Sequence, residues 1–398
     1  MNSMKGIPAI RFNCFEGEWT LSKLDDVADF YDELRKPITE SARESGPYPY
    51  YGASGIIDYV KDYIFDEEMI LLSEDGANIL DRNYRVCFLA SGKYWVNNHA
   101  HVVKAKRGNN NFFICETLER LRYDKYNTGT AQPKINQDVC KKLPLYTTSN
   151  DEQTAIGNYF QQLGSLISQH QQKHDKLSNL KKAMQEKMFP KQGEVIPEIR
   201  FKEFNGEWEV KPLSEVAEVI DPHPSHRAPD AVDNGIPFIG IGDISDSGVV
   251  DFKNVRIVPQ HIYDEHSARY RIEDGDFAYG RVASVGKIID LSNNVGNRYT
   301  YSPTMAIVKP KIMCSAFLKS YLGTDVFKAH VDNKTSGSTR KSLGVQDFRN
   351  LPVLFPLTDE QTAIGNYFQK LDALINQHQQ QITKLNNIKQ ACLSKMFV

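Results

Sequence analysis

The chain predicts a mixed α/β (α+β) protein built by pseudo-twofold duplication. Two α/β domains are expected, separated by two long helices packed as an antiparallel coiled coil. Three observations predict this. The segment 151–189 returns at 359–397 with 26 of 39 positions identical, and the decapeptide Asp151 to Phe160 recurs unchanged as Asp359 to Phe368. A second repeat opens each half: Ile7 to Phe12 with Gly17-Glu18-Trp19, then Ile196 to Phe201 with Gly206-Glu207-Trp208. Between these shared ends, roughly 29–142 and 218–350, identity almost vanishes. At 398 residues the chain also exceeds one ordinary core. The division expected is a first domain at 1–150, a helix at 151–190, a second domain at 191–358 and a helix at 359–398. The repeats are offset by 208 and 189 positions, which makes the second insert 19 residues longer. A shared frame with two unlike inserts suggests one assembly surface and two recognition tasks.

In chain order, the first insert carries strand-like runs at Ile56-Ile57, Met69 to Leu72, Val86 to Leu89 and Ala100 to Val103, with a helical run from Phe113 to Leu121. Asn150 then stands as an N-cap, with Gln153 at capping-box spacing and Asp151-Glu152 on the first turn. Apolar positions step by three and four through Phe160, Leu163, Ile167 and Leu177, which predicts a coiled-coil seam. A helix of about 38 residues is roughly 57 Å long. Pro190 to Gly193 reads as the stop and turn. The second insert has strand-like runs at Pro237 to Ile241, Val255 to Val258 and Thr304 to Val308, and a helical run from Phe317 to Gly323. Thr358 and Gln361 repeat the cap, and Phe368, Leu371, Ile375 and Leu385 repeat the seam. His170 and His174 soften it midway, without the third ligand a metal needs.

Composition excludes several classes. No apolar run is long enough to span a bilayer, and Met1 to Gly6 holds no signal region, so no membrane role and a cytoplasmic home are expected. Six cysteines form no C-x-x-C pair. The net charge of −2 hides an uneven distribution: Arg82 to Cys115 and Leu291 to Thr324 hold no acidic residue. Local basic faces suit a polyanion as well as they suit solvent.

Two enzyme motifs are approached and missed. Phe238-Ile239-Gly240-Ile241-Gly242 resembles the F-x-G-x-G loop of S-adenosylmethionine-dependent methyltransferases, but Asp221-Pro222-His223-Pro224 lacks the aromatic residue that would stack on a flipped base. Gly280 to Lys287 mimics a P-loop with five residues between its glycines and Ile288 where Mg²⁺ binding needs Ser or Thr. No catalytic residues are assigned.

The stretch Lys93 to His101 interleaves aromatic, amide and basic groups, a composition that can reach base edges and phosphates. Gly129 to Lys134 and Ser336 to Lys341 are polar–basic loops, each about 10 residues before a matched Leu-Pro pair. Together with the duplicated Asp-Glu-Gln helices, the Gly-Glu-Trp openings, Tyr50 to Gly55 and Glu74 to Asn78, this combination resembles the specificity subunits of type I restriction–modification systems. The resemblance covers essentially the whole chain. It implies two target recognition domains, each reading half of a split site in double-stranded DNA. It also implies helices that pair antiparallel and dock two methyltransferase (modification) subunits, with motor-nuclease (restriction) subunits joining for cleavage. No cofactor is expected on this chain; S-adenosylmethionine, ATP and Mg²⁺ belong with the partners. The DNA-binding residues expected are Tyr51, Ser54, Asn78, Lys93, Asn97, Asn98, His99, Thr130, Gln132 and Lys134 in the first domain. In the second they are Arg281, Ser284, Arg298, Tyr299, Ser336, Ser338, Thr339, Arg340 and Lys341. An autonomous methyltransferase, or a DNA-binding coiled-coil adaptor unrelated to restriction, is the alternative.

Overall fold

A computed structural model describes residues 6–398 apart from 224, 226, 246, 247 and 338–340. Two compact units divide the chain: Met1–His170 with Gln381–Val398, and Gln171–Gln380. In the first unit the strands are β1 (Thr20–Lys23), β2 (Ala28–Phe30), β3 (Ser45–Gly52), β4 (Gly55–Val60), β5 (Phe65–Asp66), β6 (Met69–Ser73), β7 (Cys87–Ala90), β8 (Lys93–Val96), β9 (Ala100–Ala105) and β10 (Pro144–Thr147). The second unit holds β11 (Glu209–Pro212), β12 (Ala217–Ile220), β13 (Ile236–Ile239), β14 (Arg256–Val258), β15 (Phe277–Gly280), β16 (Ile288–Asp290), β17 (Thr300–Tyr301), β18 (Met305–Pro310) and β19 (Pro352–Phe355).

The inserts, unlike in sequence, are alike in topology. A four-stranded sheet runs β2-β9-β6-β7 in one and β12-β18-β15-β16 in the other. A second sheet joins β4-β3-β8 in one and β14-β13-β17 in the other, with β3/β8 and β13/β17 parallel. Strands β1 and β10, like β11 and β19, tie the ends of each insert together. The expected pseudo-twofold duplication thus extends into the inserts, which differ in sequence, surface and loops but not in fold. Topology depends on which positions are apolar, and strand alternation supplies that without identity. Strand β6 shows how: Ile70 and Leu72 face the core shared with Trp19 and Phe160, while Met69 and Leu71 face the core of Tyr94 and Val96. Strand β15 repeats it, with Phe277 and Tyr279 on one side and Ala278 on the other. The second insert is lengthened partly by the helix Asp325–Lys334, which follows the helix Ser315–Leu322 directly.

The long helices span Asn150–Met188 and Thr358–Lys395, 39 and 38 residues. They begin one residue earlier than expected, so Asn150 and Thr358 lie inside the helix rather than capping it. In the first unit Tyr159 Oη meets Cys392 Sγ at 3.6 Å, and Phe160 lies 6.3 Å from Phe397. In the second, Lys181 bonds Asp372 at 2.5 Å and Phe189 lies 5.6 Å from Phe368. In the second unit one index rises as the other falls, so the pairing there is antiparallel. Phe160, Leu163, Phe368 and Leu371 are buried; Ile167, Leu177, Ile375 and Leu385 are half-buried.

Candidate functional site

The repeated motifs form one clamp, present twice. Glu152 is buried, and Arg11 donates to both of its oxygens at 2.6 and 2.7 Å. Arg200 holds Glu360 in the same way at 2.7 and 2.6 Å. Each arginine also donates to the carbonyl of the glycine that opens Gly-Glu-Trp, Gly17 or Gly206. Phe12 packs edge-on to Tyr159, as Phe201 does to Tyr367. The glutamines do not close the expected capping box. Gln153 Oε1 accepts from Asn110 N–H and Gln361 Oε1 accepts from Cys314 N–H, both at 3.0 Å. Asn110 and Cys314 are the N-caps of the helices Asn111–Glu119 and Ser315–Leu322, so the long helix spends its glutamine gripping the insert. Gly157 and Gly365 make room for that grip. A Cβ there would lie 3.0 Å from Asn110 Oδ1, or 2.9 Å from Phe317 N.

In the first insert the polar loops converge. Gly76 N–H donates to Pro133 O, Glu74 N–H to His99 O and Asn97 N–H to Tyr51 O. This brings Tyr51, Ser54, Asn97, Asn98, His99 and the loop from Gly129 to Lys134 to one end of the sheets. Beneath them lies a charged network. His101 is fully buried; its Nδ1 is 2.6 Å from Asp32 Oδ2 and its Nε2 is 2.8 Å from Ile135 O. Both ring nitrogens face acceptors, so the ring is an imidazolium. Burial works against that charge, but the bond to Asp32 prevails and lifts the pKa to about 10. Arg35 reaches Glu74 at 2.6 Å and Asp32 at 3.3 Å, and Lys134 reaches Glu74 at 3.1 Å. Burial would raise both carboxyls; Arg35, His101 and Lys134 hold Glu74 below the usual range, and chiefly His101 does so for Asp32. Ligand atoms of Asp32, Glu74 and His101 lie within 4.8 Å of one another. The chain's own cations fill that space, and both nitrogens of His101 are engaged, so the donor set does not suit a metal.

Asn97 is buried, with Oδ1 accepting from His99 N–H at 2.8 Å, and it braces the turn that exposes Asn98 and His99. Asn78 closes the turn to Tyr84 through both amide atoms. Tyr51 is half-buried against Phe88 and Tyr94, and Ser54 is exposed at the ribbon tip. Thr130 and Gln132 are exposed, on a loop tight enough that a Cβ on Gly129 would lie 1.8 Å from Gln132 O. Lys93 stands at the far end of β8, 4.7 Å over the Tyr63 ring.

In the second insert, the P-loop mimic is the hairpin between β15 and β16, not the strand-to-helix turn a nucleotide site requires. Its tip abuts the second polar loop: Ala283 N–H donates to Lys341 O and Leu343 N–H to Arg281 O. Arg281, Ser284, Ser336 and Lys341 thus share one edge. Arg281 is buried against Asp221 at 3.3 Å, Ser284 is half-buried, and Ser336 and Lys341 are exposed. Arg298 bonds Gln260 at 2.7 Å and Tyr299 packs on Phe252, in other surroundings. Ser338, Thr339 and Arg340 lie outside the described residues. Sequence reading missed Asp32, Arg35 and the role of His101; a buried-charge pattern spread over 70 positions leaves no local motif.

The family model for the type I restriction modification DNA specificity domain matches twice, over 16–179 and 205–387. The chain is 36% identical over 154 residues to a putative type I restriction enzyme specificity subunit of Haemophilus influenzae, a match spanning 39% of each protein's length. It is 20% identical over 402 residues to the MjaVIII specificity subunit of Methanocaldococcus jannaschii, covering 96% of this chain and 92% of that one. The crystal structure of a type-I restriction-modification system S subunit from M. genitalium shares the fold, with a TM-score of 0.63 at 14% identity over 98% of this chain and 99% of that one. Among the described residues no helix is long and apolar enough to cross a membrane. With the family model matching both halves, the chain belongs to the type I restriction modification DNA specificity family.

Proposed function

We propose that this chain is the sequence-recognition subunit of a type I restriction–modification complex, reading a two-part DNA site without covalent chemistry of its own. One observation carries the reading: an identical clamp holds two domains of one topology whose loop-bearing ends differ. Residues 1–150 and 191–358 form the target recognition domains, and the helices at 151–190 and 359–398 serve as the docking frame. Supporting the docking role, apolar side chains stay exposed at matched frame positions. Leu21 and Val210 are 59% and 53% exposed, and Leu166 and Leu374 are both 44% exposed. A surface offered twice fits two copies of one partner, here a methyltransferase subunit supplying S-adenosylmethionine chemistry. Motor-nuclease subunits would bring ATP and Mg²⁺.

The exposed Asn98, His99, Gln132 and Lys341 are the side chains best placed to touch DNA, while Asn78, Asn97 and Arg281 position their neighbours. The test is a map of methylated adenines made with the chain and its methyltransferase, before and after exchanging residues 218–350 for another family member's insert. One half of the methylated motif should change and the other persist. If both halves change together, or no methyltransferase co-purifies, the reading is overturned.

A further inference from the structure

The β3–β4 ribbon presents bare aliphatic groups where polar loops converge. Tyr51 pairs with Ile56 and Tyr50 with Asp58, which leaves Ile57 as the extra residue of a β-bulge. Bulges re-aim side chains and gather beside functional sites. Ile56 is 47% exposed and Ile57 49% exposed, next to the exposed tip at Ser54. A Cβ on Gly52 would meet Ile57 Cγ2 at 3.2 Å and Asn97 Nδ2 at 3.3 Å. The aliphatic groups are thus continuous with the turn that exposes Asn98 and His99.

We propose that Ile56 and Ile57 read thymine through its C5-methyl group in the major groove. This rests on the recognition function proposed above. A two-stranded ribbon fits that groove, and among the four bases only thymine carries a methyl group on its major-groove edge. Hydrogen-bonding groups beside small apolar ones match the mixed edge of an A·T pair. Two isoleucines at a ribbon tip, flanked by Ser54 and Asp58, offer far less than the roughly 800 Å² per partner of a stable protein interface.

The experiment uses the full chain with its modification subunits and duplexes carrying the methylated motif. Each thymine in the half-site assigned to the first domain is replaced in turn by deoxyuridine, which keeps base pairing and removes one methyl. At one or two positions affinity should fall about fourfold, the factor expected for one buried methyl. The Ile56→Ala/Ile57→Ala variant, with an unchanged thermal midpoint, should bind the parent duplex more weakly and lose its sensitivity to deoxyuridine. The proposal is overturned if the wild-type complex ignores every substitution, if that half-site holds no thymine, or if the variant keeps the full sensitivity. Loss of methyltransferase co-purification in the variant would assign the isoleucines to protein docking instead. Absence of any sequence-specific binding to the parent duplex would defeat the recognition reading itself, and the methyl contact with it.

Discussion

The two recognition domains share a topology but hold their loops by different physics. In the first, a buried imidazolium and three further charged side chains lock the loop that ends at Lys134. In the second, the loop around Ser336 and Lys341 is held by a backbone ladder to Ser342 and to the β15–β16 hairpin. Its buried histidines meet each other instead: His223 Nε2 donates to Arg227 O at 3.0 Å, and His223 Nδ1 lies 3.0 Å from His266 Nε2. The frame beneath them is the same, so difference in loops and sameness in frame can be tested separately.

The largest effect should fall on the sameness. Arg11→Met and Arg200→Met each strand a buried carboxylate, Glu152 or Glu360. Each should destabilise its own unit by about 3–5 kcal/mol. Denaturant unfolding, with hydrogen exchange to locate the opened unit, should give similar losses; a wide disparity would break the equivalence of the halves.

Acid should separate the domains. Burial, and then the nearby His223, hold His266 down at about 4. A base whose folded pKa is depressed stabilises the fold while neutral, and that stability is lost as pH falls from about 6.5 through 4. The second unit should lose roughly 2–3 kcal/mol over that window. The first behaves oppositely at alkaline pH. His101, raised to about 10, contributes fully below about 6.5 and loses that contribution as pH rises through 10. Unit-resolved hydrogen exchange at pH 5 and pH 9.5 checks both, and parallel losses would erase the contrast.

Glu74→Gln should cost the first unit about 1–3 kcal/mol, because Arg35 and Lys134 lose a shared carboxylate. It should also weaken binding to one half-site and leave the other unchanged, read by titrating duplexes altered in one half at a time. Smallest of all in stability is Lys341→Ala. Its pair with Asp332 is well exposed, so less than about 0.5 kcal/mol should be lost. If Lys341 contacts a phosphate, the salt dependence of DNA binding should fall by about one ion. An unchanged slope would remove it from the contact surface.

Much of the fold was legible in sequence. The long helices, their seam and seven of the nineteen strands among the described residues follow from apolar spacing and the repeat. What stayed hidden was the shared topology of the inserts, since alternation in short strands can be met by many sequences. The identity of the clamp was hidden too. Gln153 sits at capping-box spacing, yet its partner is 43 positions away at Asn110. Likewise Lys93 and His99 share one basic stretch, but β8 separates them: Lys93 opens the strand and His99 lies in the turn beyond its end. Linear clusters mark composition; only the strand path decides which members meet.

The grip of Gln153 and Gln361 has a consequence for how such chains diversify. Through its Oε1 each glutamine holds a backbone N–H, on Asn110 in one half and Cys314 in the other, and that bond is blind to the side chain presented, although Gln153 Nε2 also donates to Asn109 Oδ1. The opposing glycines clear space without demanding a particular neighbour. A socket of this kind accepts any insert that delivers a helix start at the right place. New cargo can be exchanged at the two crossings between frame and insert while the socket stays untouched, and a lineage can change what it recognises in one step without rebuilding what it assembles with.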